Sequence, residues 1–532
     1  MLATAANAAW FAACYPAYRG FCAALDDPRR VQLQLLQRYL RRNEGTAFGK
    51  MHGFTAINDL RSFRHAVPIR SYDEFTPWID RIVGGEQRVL SSERVIRLMP
   101  SSGSTRGAKL IPYTRELQRE FNRAIGPWIV DLYRRTPKLM GGCAYWSITP
   151  VARKDLNREK SSIPIGFDED SAYLGGMRQR LVNAVMAVPG EVRHLDDIEE
   201  FRFATLRHLL ARRDLRLISV WHPSFLDLLL DVARTRWNEL VDALHQTNPK
   251  RAAEVRELGP ENWIQIWPNL NLISCWADAS AAGPADALTK RFPGVTVQPK
   301  GLLATEAFIS IPFRDHWPLA ICSHFLEFED DDGQLFLADE LRTGAEYGVV
   351  VTTAGGLWRY RLGDRVRCDG WLGRTPSIRF VGRNDLVVDQ FGEKLSDGFV
   401  GRAIGQLLKD AELSADFAML APDRHGCEKF YTLFLSISRG STVASRELAG
   451  ALDRQLRANP HYAYCRDLNQ LGHPRLFRIR RHAYETYVAV ARERGQRLGD
   501  VKSVALHANS DWSDRFDGDY LNRLEDADCQ VA

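Results

Sequence analysis

Near the amino terminus, apolar residues recur at roughly helical spacing. In residues 30–45 this spacing, together with the closing Gly45, predicts a helix. The apolar positions of that helix are Val31, Leu33, Leu35, Leu36 and Leu40. The alanine-rich stretch before it is interrupted by Asn7, Tyr15 and Arg19 and has no basic start, which is typical of an amphipathic helix rather than a signal peptide.

From about residue 140 the pattern changes, because short apolar runs alternate with helical segments. Residues 215–223 predict a strand, and residues 224–237 predict the helix that follows it. Residues 347–364 predict two strands around Ala354-Gly355-Gly356. Further strands are predicted at 269–276, 294–299, 307–313 and 319–328. Strands interleaved with helices in this way indicate an α/β fold.

The order of predicted helices and strands changes again after Asp385. A helix is predicted at 398–411, two strands at 416–422 and 429–438, and another helix at 444–459. This succession makes a small α+β unit of about 150 residues, a size that suits an independent domain. Since a single hydrophobic core stops growing at about 250–300 residues, the 532-residue chain is expected to form two domains, 1–382 and 383–532.

The composition excludes several classes of protein. With 45% hydrophobic and 26% charged residues, the chain is expected to be neither disordered nor a coiled coil. The formal charge of +5 is small and dispersed, which argues against a nucleic-acid partner. The nine cysteines contain no C-x₂-C pair, so zinc sites, iron–sulfur sites and a disulfide framework are not expected. No apolar run approaches about 20 residues, so no membrane span is expected, and the predicted location is the cytoplasm.

A loop rich in small polar residues, MPSSGSTRGAK, occupies residues 99–109. Backbone N–H groups and hydroxyls in such a loop can surround a phosphate, and a lysine adds positive charge. Gly103 and Gly107 are too close together for a Walker A loop, and Thr105 stands where the nucleophile elbow of a hydrolase needs serine. Taken alone, the segment fits a polar surface loop equally well.

Two carboxylates lie beside predicted strands. Thr305 and Glu306 stand between two strand predictions, where the hydroxyl could contact phosphate and the carboxylate could hold Mg²⁺. Asp364 follows a glycine in the segment YRLGD, and a carboxylate at such a turn can accept hydrogen bonds from both ribose hydroxyls. Considered alone, each is more often a solvated residue or part of a local ion pair.

A fourth segment, residues 380–394, lies on the expected domain boundary and contains Arg383, as a hinge or an inert linker would. In this order the four segments resemble the motifs of the adenylate-forming superfamily. More closely, the chain resembles the auxin-responsive acyl-acid amido synthetase family, the plant enzymes that conjugate auxin and jasmonate to amino acids, and their bacterial relatives. The likeness runs through most of the chain, from LLQRYLRRNEGTAFGK through SSGSTRGAK, LLATEAFISI and WRYRLGD to GQRLGDVK.

This resemblance implies a fold and two cofactors. The fold is α/β, with a large N-terminal adenylate-forming domain and a smaller, mobile C-terminal α+β domain. The cofactors are ATP and Mg²⁺, and Glu306 is expected to help hold the metal. The residues expected at the ATP phosphates are Ser101, Ser102, Gly103, Ser104 and Thr105.

The resemblance also implies roles for residues outside the loop. Thr305 is expected to touch the adenylate and Asp364 to bind the ribose. Arg383 is expected to lie near the nucleotide, and Lys502 to reach the acyl-adenylate. The expected catalytic residues are therefore Lys502, Glu306 and Thr105.

The implied activity is the synthesis of an amide in two steps. A carboxylic acid attacks the α-phosphate of ATP and forms an acyl-adenylate, and an amine, expected to be an amino acid, then takes the acyl group. These steps need Mg²⁺ and donors to the phosphates but no protein nucleophile, and the sequence offers no compelling Ser-His-Asp or Cys-His set. The alternatives are a ligase that uses coenzyme A or a carrier thiol, and a non-catalytic nucleotide-binding scaffold.

The acyl group needs a pocket, and two segments supply apolar side chains for one. The predicted wall comprises Tyr173, Leu174, Trp221 and Phe225. Aromatic and aliphatic walls favour an apolar acid, although Trp221 and Phe225 also suit a hydrophobic core. The expected partners are therefore a small carboxylic acid and an amine, with no nucleic acid and no membrane.

Overall fold

A computed structural model describes most of the chain. The described residues are 2–101, 109–147, 163–166, 175–195, 197–383, 387–390, 393–425, 428–437, 445–494, 496, 501 and 503–521. Within those ranges, no helix combines the length and the apolar character that crossing a membrane requires.

The amino-terminal part is helical, and both helices predicted there are confirmed. Its helices are α1 (Leu2–Ala24), α2 (Pro28–Asn43), α3 (Ala47–Met51), α4 (Leu60–Ala66) and α5 (Tyr72–Val83). Helix α2 begins after Asp27, whose carboxylate accepts a hydrogen bond from the amide of Arg30, with Pro28 in the first turn. Its leucines, Leu35, Leu36 and Leu40, are buried in the core of the N-terminal body.

A hairpin follows these helices. Strand β1 (Val95–Ser101) pairs antiparallel with β2 (Lys109–Thr114), and β2 leads directly into α6 (Arg115–Arg135). The side chain of Thr114 caps α6 by accepting a hydrogen bond from the amide of Leu117.

Four parallel strands form the first sheet, in the order in which they occur along the chain. They are β3 (Cys143–Trp146), β4 (Leu215–Ser219), β5 (Leu272–Cys275) and β6 (Thr296–Pro299). The helices along this part are α7 (Gly176–Val185), α8 (Ile198–Leu210), α9 (Pro223–His245), α10 (Pro249–Leu258), α11 (Trp263–Ile266) and α12 (Ala282–Arg291). The predictions at 215–223, 224–237, 269–276 and 294–299 are confirmed, and all four strands direct their carboxyl ends to one edge of the sheet.

The second sheet is antiparallel and has the strand order β11-β10-β9-β7-β8. Its strands are β7 (Phe325–Glu329), β8 (Leu335–Phe336), β9 (Glu346–Thr352), β10 (Tyr360–Leu372) and β11 (Thr375–Arg383). The two strands predicted around Ala354-Gly355-Gly356 are confirmed as β9 and β10.

One strand prediction between these sheets is wrong, and a second is confirmed only at its end. Residues 307–313 pair only through isolated bridges, and of residues 319–328 only the end forms a strand, β7. Pro312 and Pro318 explain part of this difference, because proline has no amide hydrogen with which to continue a ladder. The segment instead folds back on itself in short turns.

The carboxyl-terminal part is a separate α+β arrangement, and its predicted helices and strands are confirmed. It begins with the small ladder of β12 (Val387–Val388) and β13 (Leu395–Ser396) and contains a four-stranded sheet in the order β14-β15-β16-β17. The strands of that sheet are β14 (Ala415–His425), β15 (Glu428–Ile437), β16 (Arg475–Ile479) and β17 (Gly518–Tyr520). Its helices are α13 (Asp397–Asp410), α14 (Ser445–Leu456), α15 (Pro460–Asp467) and α16 (Ala483–Glu493).

Asp397, the first residue of α13, ties this helix to a segment near the end of the chain. Its Oδ1 atom accepts hydrogen bonds from the amides of Ala505 at 2.7 Å and Leu506 at 2.9 Å. The side chain is buried, and burial raises the pKa of its carboxyl, while the two amides lower that pKa. Residues 505 and 506 are therefore fixed to the start of α13.

Two further contacts join the carboxyl-terminal part to the N-terminal body. The rings of His222, which precedes α9, and Tyr484, on α16, are stacked with centroids 4.8 Å apart. Arg402 on α13 pairs with Glu346 on β9 at 3.0 Å. Each contact has one residue in the N-terminal body and one in the carboxyl-terminal part, so a movement of one part relative to the other would break both.

Candidate nucleotide and acyl-acid site

The β1–β2 hairpin fixes where the predicted phosphate loop begins and ends. Ser101 and Lys109 face each other as the last pair of the ladder, so residues 102–108 connect the two strands. Ser102, Gly103, Ser104 and Thr105 lie outside the described residues. The two flanking residues, Ser101 and Lys109, lie beside the carboxylates described next.

A tight turn brings Glu306 to the start of this loop. The amide of Ala304 donates to the carbonyl of Ala307 at 2.9 Å, so Thr305 and Glu306 occupy the tip of the turn. The hydroxyl of Ser101 donates to Oε1 of Glu306 at 3.3 Å. Glu306 is only 4% exposed, whereas Thr305 keeps part of its surface accessible. Two of the predicted site segments therefore meet here.

The charge on Glu306 depends on its surroundings. Burial raises the pKa of its carboxyl above the usual 4.5, and the Asp364 carboxylate raises it further. The nearby cations Lys109 and Arg383 act in the opposite direction and lower that pKa. Four side chains from separate stretches of the chain thus form one electrostatic cluster, of which three were predicted site residues.

Asp364 lies on β10 directly opposite Arg383 on β11. The carboxylate is 1% exposed, and its Oδ1 atom accepts no hydrogen bond from any described residue. The nearest guanidinium nitrogen of Arg383 is 3.7 Å from that oxygen, which is too long for a hydrogen bond. Gly363, just before it, has a φ of 89°, and the register of β10 shifts between Arg361 and Arg365. This irregularity in the strand sets the direction of the Asp364 side chain.

Sequence reasoning left the contacts of Lys109 open and missed two tyrosines beside it. The ammonium group of Lys109 donates to the hydroxyl of Tyr360 at 3.3 Å and lies 5.7 Å from the ring centre of Tyr72. The Tyr72 hydroxyl in turn accepts from the amide of Leu110 at 2.6 Å, which fixes that ring against β2. Tyr360 opens the same YRLGD segment that supplies Asp364, so its place in the motif was an available signal.

The predicted acyl-pocket residues lie in different environments. Trp221 follows β4 at the carboxyl edge of the parallel sheet, and its ring centre is 5.5 Å from Nζ of Lys300. Phe225 is partly buried against the core of that sheet and its helices. Tyr173 and Leu174 lie outside the described residues, and so does Lys502.

Three family models match the chain in succession. A "GH3 family N-terminal domain" matches residues 17–297, a "GH3 family central domain" matches residues 318–383, and a "GH3 family C-terminal domain" matches residues 399–511. The first of these alone covers more than half of the chain.

Curated relatives of known name are similar over most of their length. A jasmonoyl–L-amino acid synthetase of Nicotiana attenuata, JAR6, is 22% identical over 507 residues, which cover 84% of this chain and 85% of the relative. An indole-3-acetic acid-amido synthetase of Arabidopsis thaliana, GH3.2, is 22% identical over 448 residues, which cover 71% of this chain and 78% of the relative.

Solved structures of a related protein have the same fold. The acyl acid amido synthetase GH3.15 superposes with a TM-score of 0.79 at 18% sequence identity, over 94% of this chain and 95% of that chain. A second structure of that protein, in complex with 2,4-DB, gives the same TM-score at 19% identity. The likeness therefore supports the expected architecture of a large N-terminal part and a smaller C-terminal part.

Proposed function

The chain belongs to the GH3 family, and from that membership we propose that it is an ATP-dependent acyl-acid amido synthetase. It activates a carboxylic acid as an acyl-adenylate, with release of pyrophosphate. It then transfers the acyl group to an amine, an amino acid in our proposal, with release of AMP. The finer expectation of a cytoplasmic location, which rests on scattered cysteines without a disulfide framework, belongs to the same proposal.

The observation that carries the proposal is the meeting of Ser101, Glu306 and Asp364 around the start of a hydroxyl-rich loop. The unsatisfied Oδ1 of Asp364 is a buried acceptor of the kind that ribose hydroxyls pair with. We assign the ATP phosphates to Ser101 and the loop residues Ser102 to Thr105, whose hydroxyls and amides donate to phosphate oxygens. Thr305, next to Glu306, is assigned to the adenylate.

The residues around Glu306 also fit a magnesium ion. Mg²⁺ is usually held by one or two carboxylates together with substrate phosphates, and Glu306 offers a buried carboxylate at the mouth of the loop. When bound, the ion would neutralise charge that develops on the phosphates. Its ligands would then be Glu306 and phosphate oxygens, because no group of three or more metal-binding side chains occurs among the described residues.

The protein's part in adenylation is positioning and charge. A carboxylate is a poor acyl donor, and its conversion to an adenylate needs no protein nucleophile. Lys109, held by Tyr360 and the face of Tyr72, is oriented at the end of the phosphate loop, where a cation opposes phosphate charge. Arg383 lies 3.7 Å from the Asp364 carboxylate, and we assign it to the nucleotide.

We place the domain boundary at residues 382/383 and assign motion to the C-terminal domain, 383–532. At this boundary, Gly382 has a φ of 149°, and an added Cβ would lie 2.5 Å from Cα of Gly398 on α13. The end of β11 thus approaches the start of α13 as closely as backbone allows. Lys502 belongs to the mobile domain and reaches the acyl-adenylate when that domain closes.

The test is ATP–pyrophosphate exchange with a panel of carboxylic acids. Exchange that depends on an acid is the expected result, and its absence with every acid would favour the non-catalytic scaffold. Glu306→Gln should reduce exchange by about a hundredfold or more, as losses of transition-state electrostatic groups do. Glu44→Gln, an exposed glutamate of the same N-terminal part, is the matched control and should leave exchange unchanged.

Product analysis distinguishes the proposed enzyme from its alternative. The mass of an acyl–amino acid conjugate is expected when amino acids are supplied. An acyl thioester formed with coenzyme A, and no amide, would replace this proposal with the thiol-dependent ligase.

A further inference from the structure

A second cationic centre lies at the carboxyl edge of the parallel sheet. Lys300 directly follows β6, and its backbone amide donates to the carbonyl of Cys275 at 2.8 Å, which anchors it beside β5. Its ammonium group donates to the hydroxyl of Ser219 at 2.7 Å and of Ser274 at 3.3 Å. Both serines are buried, and the carboxyl edge of a parallel sheet is where α/β proteins bind ligands.

Three tryptophan rings surround the same ammonium group. Its distances to the ring centres are 5.4 Å for Trp128, 5.5 Å for Trp221 and 6.0 Å for Trp146. The indole N–H of Trp128 is occupied by Gln298 at 3.0 Å, whereas the buried indole N–H of Trp146 has no hydrogen-bond partner among the described residues. Lys300, Trp146 and Trp221 are each partly rather than fully buried.

Lys300 has no carboxylate partner in the described part of the chain. Burial lowers the pKa of its ammonium group from 10.5 to about 8. Burial also raises the pKa of the neighbouring Cys275 thiol to about 12, so this thiol is neutral and supplies no counter-charge at neutral pH. The pKa of Glu306, by contrast, is lowered by the nearby charges of Lys109 and Arg383. The two cationic centres are therefore separate, and the one at Lys300 lacks an anion.

We propose that Lys300, Ser219, Ser274 and the three tryptophans bind a second anionic group on the acyl substrate. The substrate class is then a doubly anionic acid with a ring-containing body, such as an aryl dicarboxylate. This inference rests on the proposed function, and it replaces the apolar acid that the sequence alone favoured with an acid that carries a second anionic group.

The length of chain between the two centres permits a molecule that spans them. Glu306 lies six positions after Lys300 in the sequence, so their Cα atoms are at most about 20 Å apart. One carboxylate would lie at the Ser101–Glu306 turn, where activation takes place. The second would accept hydrogen bonds from Lys300 and from the Trp146 indole N–H, which has no partner among the described residues, while the indole faces pack against the flat body between them.

The experiment compares diacids with neutral analogues of the same shape. Binding of terephthalate and biphenyl dicarboxylate, each beside its monomethyl ester, is measured by calorimetry on the full chain without ATP. The wild type should bind at least one diacid about tenfold or more tightly than its ester, as expected for a charge-assisted hydrogen bond in a desolvated site. This preference should weaken as the pH rises through about 8, because Lys300 then loses its proton.

Two variants and a control test the residue itself. Lys300→Met should abolish the preference for the diacid, and Lys300→Arg should retain part of it because it keeps the charge. Lys250→Met, at an exposed lysine on α10, should behave like the wild type. Thermal melting of each variant shows whether it is folded.

The results also distinguish this inference from the proposed function. Equal binding of every diacid and its ester, failure of both to bind, or an unchanged preference in a folded Lys300→Met variant would overturn the anion site. If the anion site is overturned but simple monoacids still support ATP–pyrophosphate exchange, the proposed synthetase function stands. Conversely, a Lys300-dependent diacid preference without exchange for any acid would overturn the synthetase and leave the anion site in place.

Discussion

Asp364 is a buried acid with one oxygen that no described residue satisfies. An unsatisfied buried polar group costs about 1–3 kcal/mol, so a protein retains one where a ligand completes its hydrogen bonds. The cost is borne by the ligand-free protein and is removed when the nucleotide binds.

Asp364→Asn should therefore raise the KM for ATP by about tenfold or more, because hydrogen bonds to a charged acceptor contribute about 1.5–3 kcal/mol. Steady-state exchange at several ATP concentrations measures this change. Asp369→Asn, at an exposed aspartate on the same strand, is the control and should leave the KM unaltered. An unaltered KM for ATP in Asp364→Asn would assign this carboxylate to the structure of the sheet.

Lys300 forms no ion pair with any described residue. Because it is buried, its positive charge lowers the stability of the folded protein. In the folded protein the pKa of this lysine is about 8 rather than 10.5, so the unfolded chain takes up the proton first as the pH falls. The folded protein therefore loses stability as the pH falls from 10.5 to about 8, and its stability stays reduced below pH 8. The full difference corresponds to at most about 3 kcal/mol, of which the hydrogen bonds to Ser219 and Ser274 recover a part.

Lys300→Met should accordingly melt at a higher temperature than the wild type at neutral pH. The difference should narrow as the pH approaches the ordinary lysine value of 10.5. Calorimetric melting temperatures across this range provide the measurement. A variant that melts lower than the wild type at every pH would mean that the hydrogen bonds of Lys300 outweigh the cost of its charge.

At the scale of elements, the turn that carries Glu306 depends on a close backbone approach. Gly301 lies against the returning segment, where an added Cβ would be 2.0 Å from the carbonyl oxygen of Ser310. The hydroxyl of Ser310 accepts from the amide of Leu302 at 2.9 Å and closes the same turn. The position of Glu306 relative to Ser101 therefore depends on the absence of a side chain at residue 301.

Gly301→Ala should displace this turn, lower stability by about 1–3 kcal/mol as overpacking does, and reduce exchange. Gly405→Ala is a suitable control, since residue 405 lies within α13 with open space around its Cα and alanine favours a helix. Melting temperature and exchange rate are measured for both variants. Normal exchange in Gly301→Ala would mean that the turn tolerates the shift without moving Glu306.

The sequence predicted elements well where periodicity alone determines them. Helix α2, strands β4 to β6 and the pair β9 and β10 follow from apolar spacing and turn residues. Residues 307–313 did not, because alternation of apolar residues also occurs where prolines prevent a continuous ladder. The Lys300 cluster could not be predicted, since its tryptophans come from α6, β3 and the segment after β4, and only the fold brings them together.

At the scale of the whole molecule, two parts of the chain must cooperate. The stack of His222 on Tyr484 and the pair of Arg402 with Glu346 hold them in the arrangement described here. Adenylation needs a cation near the phosphates, whereas amide formation needs room for the amine, so one arrangement serves one step better than the other. We expect the two half-reactions to respond differently to changes in the C-terminal domain.

Lys502→Ala should slow formation of the acyl-adenylate and leave amide formation from a supplied acyl-adenylate near the wild-type rate. Single-turnover assays of each half-reaction measure the two effects. Lys409→Ala, at an exposed lysine on α13, should change neither. Equal losses in both half-reactions for Lys502→Ala would indicate a structural role and contradict the alternation of the two arrangements.

The hydrogen bonds from the amides of Ala505 and Leu506 to Asp397 affect how often Lys502 meets the nucleotide. Lys502 comes three positions before Ala505 in the sequence, so only a short stretch of chain joins it to the anchor at the start of α13. The effective concentration of Lys502 at the nucleotide is therefore set by this short connection to α13 and by the rotation of the C-terminal domain. The long stretch of chain that precedes Lys502 does not set it. Loosening that short connection with Asp397→Ala should dilute the lysine at its target even though every atom of Lys502 remains.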